Sequence, residues 1–185
     1  MNSNDLMFQL NRLDKRGRRV FTIEDMGKIT GIANQRSLES WLYREVRKEK
    51  PLLRRVAHGV YMNAYSTRPS TNLIEEVART LRRGAHNYVS FESALSEHGR
   101  ISQIPVGHLT VATTGNAGRF QTDFGIIEFT RVRHDRVEIA TRANEVGRPL
   151  PLASEELALH DLTEAQRNLH LVLPEVQEDQ IEMEI

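Results

Sequence analysis

The chain has 185 residues, 39% of them hydrophobic, which suits one medium domain or two small ones with packed cores and excludes a disordered or fibrous chain. It contains no cysteine, which excludes disulfides, thiolate metal sites and cysteine nucleophiles and fits a reducing, cytoplasmic setting; its polar N-terminus and lack of a long apolar run argue against secretion and membrane insertion. The formal net charge of zero hides a sorting of charge: residues 1–70 carry 14 Lys and Arg against 7 Asp and Glu, residues 71–150 carry 10 against 9, and residues 151–185 carry 1 against 9.

A basic first third suits contact with phosphates, because each neutralised phosphate releases condensed counterions. Leu6, Met7, Leu10 and Leu13 recur at helical spacing and predict a first helix over residues 4–16, stopped by Gly17. Val20 and Phe21 form a short apolar lead-in. Thr22 then caps a second helix that runs to residue 29 with Glu24 and Asp25 in its first turn. Residues 30–33 make a break in which Gly31 is free to take a positive φ. Asn34 caps a third helix, whose inward stripe is Leu38, Trp41, Leu42 and Val46, with Trp41 read as core rather than as a stacking platform. Its other face carries Arg36, Ser40, Tyr43, Arg44 and Arg47, a coherent basic stripe. Residues 52–56 and 60–62 read as two strands joined by a tight turn at Ala57-His58-Gly59.

Three helices followed by a basic hairpin predict a winged helix-turn-helix over residues 1–66, in which helix 3 enters the major groove and the wing touches phosphate or the minor groove. The same elements admit a second reading, a protein-interaction adaptor. A linker near residues 67–71 precedes an α+β domain over residues 71–173, with a helix over 72–83, a strand at Tyr88-Val89 and a helix opening at Ser90. Strands over residues 108–113, 118–122 and 125–132 form a small antiparallel sheet, a last helix covers 154–169, and an acidic tail spans 174–185.

For DNA, Gln35 and Arg36 are placed to read base edges, since glutamine and arginine pair bidentately with adenine and guanine. Ser40, Tyr43, Arg44 and Arg47 extend that face. Arg54, Arg55 and His58 serve the wing, strand alternation turning one of the two arginines away, and Arg18, Arg19 and Lys28 add backbone contacts. No reaction centre emerges, so no enzyme, cofactor or metal is expected. His58, His86, His98, His108, His134, His160 and His170 are scattered singly, and Gly115-Asn116-Ala117-Gly118 lacks the lysine of a phosphate loop. Asp123 and Glu128 hint at a nuclease pair, but Thr130 stands where such a site wants lysine.

Three segments resemble the AbiEi family, the antitoxins and autorepressors of type IV toxin-antitoxin (abortive infection) systems. They are Leu53-Arg54-Arg55-Val56-Ala57-His58-Gly59-Val60-Tyr61 in the hairpin, Tyr88-Val89-Ser90-Phe91-Glu92-Ser93-Ala94-Leu95-Ser96-Glu97-His98-Gly99, which is the most specific, and Pro151-Leu152-Ala153-Ser154-Glu155-Glu156-Leu157-Ala158-Leu159-His160-Asp161-Leu162. The resemblance implies an N-terminal domain that binds double-stranded DNA at inverted repeats in its own promoter, as a homodimer. It further implies a C-terminal domain that counters a nucleotidyltransferase-like toxin, often without a stable complex.

Overall fold

The computed structural model describes residues 2–69, 71–101 and 107–173. The acidic tail expected over 174–185 lies outside the described residues.

The first helices form where their caps dictate. In α1 (Ser3–Lys15) the Asn2 Oδ1 accepts from the Asp5 amide at 2.8 Å. Strand β1 (Val20–Thr22) leads directly into α2 (Ile23–Thr30). Thr22 and Asp25 exchange hydrogen bonds in a capping box, satisfying two amides that the helix start leaves unpaired. Gly31 ends α2 at φ 74°, a left-handed conformation that costs glycine nothing. Asn34 then caps α3 (Gln35–Glu45) through the Ser37 amide at 2.9 Å. Strands β2 (Leu53–Ala57) and β3 (Val60–Asn63) complete a three-stranded antiparallel sheet in the order β1-β3-β2. Val20-Phe21, expected as an irregular lead-in, is therefore a paired strand, in register with Met62 and Tyr61.

This small sheet is a shared wall. Alternation sends Phe21, Leu53 and Tyr61 to one face, against Leu6, Leu10, Met26, Leu38 and Leu42 of α1–α3. Val20, Val56 and Val60 point the other way, into a larger core with Val77, Tyr88, Val111 and Leu157. The larger of the two cores thus draws on residues from both sides of residue 70.

The second half is mixed α+β. Helix α4 (Leu73–Leu81) precedes β4 (Asn87–Val89) and α5 (Phe91–Glu97). Strands β5 (His108–Thr113), β6 (Gly118–Thr122) and β7 (Gly125–Arg131) follow, then α6 (Arg136–Arg142), β8 (Ala143–Asn144), β9 (Leu152–Ala153) and α7 (Glu155–Glu164). The sheet order is β6-β7-β5-β4-β9-β8. It is not the small antiparallel sheet expected: β5 pairs with β7 in parallel, and so does β4 with β9. Side-chain alternation marks a strand but carries no information on the direction of its neighbour, so the sequence could not settle this point. Parallel pairing also brings the start of β7 against the loop before β5, where a Cβ on Gly125 would lie 2.1 Å from the Gly107 carbonyl oxygen.

The last helix is five residues shorter than its expected end at residue 169. Its apolar spacing continues, but Gln166 and Asn168 take positive φ values of 49° and 39° and turn the chain away. Among the described residues no helix is long and apolar enough to cross a membrane.

Candidate nucleic-acid interface

Helix α3 buries Leu38 and Leu42 and packs Trp41 partly against the same core, so the periodicity fixes which side faces outward. On that side Arg36, Ser40, Tyr43 and Arg44 are exposed, as the stripe in the sequence predicts; Gln35 is exposed at the helix start, and Arg47, expected on the helix, is exposed in the turn that follows its end at Glu45. They are loosely organised by one another rather than neutralised. The Arg47 guanidinium stacks 3.6 Å above the Tyr43 ring, and Arg44 Nε donates to the Ser40 carbonyl at 3.3 Å. Gln35 Nε2 donates to Glu39 Oε1 at 2.9 Å. No carboxylate lies within ion-pair distance of Arg36, Arg44 or Arg47 among the described residues, so their charge is available to an external anion.

The hairpin borders this face. Arg55 pairs with Tyr61 across β2 and β3, and the Tyr61 phenol stands between Arg55 and Glu39 of α3. Burial raises its pKa, Arg55 draws it down and Glu39 pushes it up, so helix and hairpin share one electrostatic neighbourhood. Arg55 and His58 are exposed and touch at 3.0 Å at the hairpin tip. Lys28 is exposed on α2 and lines, with Gln35, a groove between α2 and the start of α3.

Three of the expected contacts are otherwise engaged. Arg19 is 3% exposed and donates through Nε and Nη2 to both carboxylate oxygens of Glu76 at 3.0 and 2.8 Å, and to the Arg68 and Pro69 carbonyls. It cannot serve as a phosphate contact; it staples β1 to α4 and to the segment read as a linker. A run such as Arg18-Arg19 looks uniformly solvated in sequence, but Glu76, 57 positions away, and the Arg68 and Pro69 carbonyls enclose its second member. Arg54 is the arginine that alternation sends away: it binds Asp123 at 2.7 Å, which also accounts for Asp123 as an ion-pair partner rather than a member of a carboxylate pair. Arg18 is half-buried and pairs with Asp25.

Asp25 also accepts from Arg83 at 2.7 Å, an arginine of the second half 58 positions away, too far for any local pattern to connect with α2. Burial pushes the Asp25 carboxyl up, but Arg83 and Arg18 overcome this and hold it far below the ordinary carboxylate range. A second basic cleft, lined by Arg16, Arg79, Arg82 and Arg83, opens beside this pair; its cations are partly offset by Asp25 and Glu76.

No family model matches the sequence, and no curated protein matches it. Among solved structures, that of the RV2827C protein from Mycobacterium tuberculosis is similar over 83% of this chain, with a TM-score of 0.53 and 16% identity. This chain spans 58% of the length of that one. At such identity the likeness concerns the fold, and it covers both halves of the chain rather than the first helices alone.

Proposed function

We propose that the protein is a sequence-specific DNA-binding regulator, with residues 1–66 acting as a winged helix-turn-helix. The observation that supports this reading best is the exposed basic face of α3, whose arginines have no ion-pair partner among the described residues, with Arg55 and His58 at its border. In this arrangement α3 lies in the major groove, Gln35 and Arg36 at its N-terminal end meet base edges, and Arg44, Arg47 and Arg55 bind phosphates that set the register. Charge separation along the chain supports the same orientation, since the strongly acidic last segment is repelled by the duplex.

The antitoxin half of the proposal rests on the resemblance to the AbiEi family. On that reading the protein represses its own promoter as a homodimer at inverted repeats, and its second half counters a nucleotidyltransferase-like toxin. No cofactor is needed for either task. The test is a gel shift with the promoter upstream of its gene at two salt concentrations. Binding that weakens steeply with salt, and that Arg55→Ala weakens on all duplexes alike, supports the proposal. Absence of a shift at micromolar protein sinks it in favour of the protein-interaction adaptor. Rescue of growth when the chain is co-expressed with the toxin encoded by its neighbouring gene tests the antitoxin half separately.

A further inference from the structure

Side chains from two separate stretches of the sequence meet in the second half of the fold. His134 immediately precedes the N-cap of α6, while His160 and Asp161 are neighbours on α7; one metal-ligating atom from each lies within 4.8 Å of the others. We propose that His134, His160 and Asp161 bind a divalent transition-metal ion of the zinc class, with a fourth coordination position open to the adjoining cleft. Two imidazoles and one carboxylate are a donor set that suits zinc, and three protein ligands with an open position make a four-coordinate site.

The would-be ligands are held in place by partners of their own. Asp161 is 2% exposed, and its Oδ2 accepts from Ser90 Oγ at 2.7 Å and from Tyr88 Oη at 2.9 Å, both from the β4 end. Those two hydroxyls fix the carboxylate so that Oδ1 points at His134 Nε2, 2.6 Å away. On the far side of the same ring, His134 Nδ1 lies 3.0 Å from Glu138 Oε2, and Glu138 is itself steadied by Arg142 at 3.2 Å. A carboxylate that takes Nδ1–H fixes the tautomer that presents Nε2 to a metal, which is the usual support of a metal-ligating histidine. Each buried ligand atom therefore has a supporting partner, and the supports leave free the two atoms that face each other.

The remaining geometry is compatible. The His134 and His160 ring centroids are 5.5 Å apart and inclined at 48°, and His160 is exposed, so its rotamer can adjust. Zinc bonds of about 2.0–2.2 Å at a tetrahedral angle place two ligand atoms roughly 3.4 Å apart, so Nε2 and Oδ1 need to separate by less than about 1 Å. The ion takes the position of the proton that joins them. The cleft, about 610 Å³, is bounded by Phe91, Val132, His134, His160 and Asp161. Phe91 follows Ser90 and adopts φ 54°, an unfavourable conformation for an aromatic residue, held in place by its complete burial at the wall of the cleft. A bound ion would pin the segment before α6 to α7.

The test is zinc titration of the chelator-stripped full-length protein by calorimetry, with cobalt absorption as a second readout. The expected result is one ion per chain at micromolar or lower Kd, with the visible spectrum of four-coordinate cobalt. Because His160 is exposed, His160→Ala should fold normally by circular dichroism and yet lose the site, whereas His170→Ala should leave it intact. Glu138→Gln, a change in the support rather than a ligand, should weaken affinity by roughly 10–100-fold. No binding, or binding that survives His160→Ala, overturns the proposal and leaves Asp161 and His134 as a buried ion pair alone.

Discussion

Arg19 and Arg36 are the same residue type in the same basic third of the chain, and the fold uses them in opposite ways. Arg19 is enclosed by Glu76 and two backbone carbonyls, so its charge is fully satisfied within the protein. Arg36 projects from the outer face of α3, and no carboxylate among the described residues is bound to it. The difference teaches that a local excess of positive charge is not itself a binding surface: what counts is which cations remain after the protein has paired its own. Among the described residues of the first 70, Arg18, Arg19, Arg54 and Lys48 pair with carboxylates, whereas Arg36, Arg44, Arg47 and Arg55 have no described carboxylate within ion-pair distance.

This contrast can be broken from either side. The largest expected effect is that of Arg19→Ala, which leaves the Glu76 carboxylate buried without its partner and should cost about 3–5 kcal/mol in urea unfolding. Replacing both partners by apolar residues, Arg19→Met with Glu76→Leu, should recover most of that loss; failure to recover would mean that Arg19 matters for more than its pair. Asp25 comes next. Its folded pKa lies below the unfolded value of about 3.9, so its contribution is present at higher pH and is lost as pH falls through and below that value. Asp25→Asn should therefore destabilise the protein at pH 7 and bring its unfolding midpoint closer to that of the wild type at pH 3; an equal gap at both values would contradict the role of Arg18 and Arg83. Arg36→Ala should change stability by no more than about 0.5 kcal/mol while removing about 1–3 kcal/mol of discrimination between cognate and scrambled duplex. The smallest effect belongs to Arg54→Ala, whose exposed pair with Asp123 is worth at most about 1 kcal/mol.

Much of the first half was legible because its signals are local. Thr22, Gly31 and Asn34 act through the amides of their own helices, and Leu38 and Leu42 fix the buried side of α3 by spacing alone. The burial of Arg19 is not legible in the sequence because its partner, Glu76, is 57 positions away and only folding brings them together. The same limit hid most of the second half. Helix α6 buries only Ile139, too little for a visible periodicity, and β8 and β9 have two residues each, their pairing decided by neighbours rather than by propensity. The link of His134 to the adjacent pair His160 and Asp161 is hidden for the same reason: 26 positions separate them, and only the packing of α7 against the β4 end brings them together.

The central claim, that unpaired charge on α3 and the hairpin tip forms a DNA-reading face, is tested most directly by fluorescence anisotropy of the wild-type protein and Arg36→Ala on a labelled promoter duplex and a scrambled duplex across a salt series. The expected result is that the wild type prefers the promoter duplex, that its affinity falls linearly on a log–log salt plot, and that Arg36→Ala binds both duplexes almost equally with folding intact. Equal binding of both duplexes by the wild type, or an unchanged preference in Arg36→Ala, would contradict it.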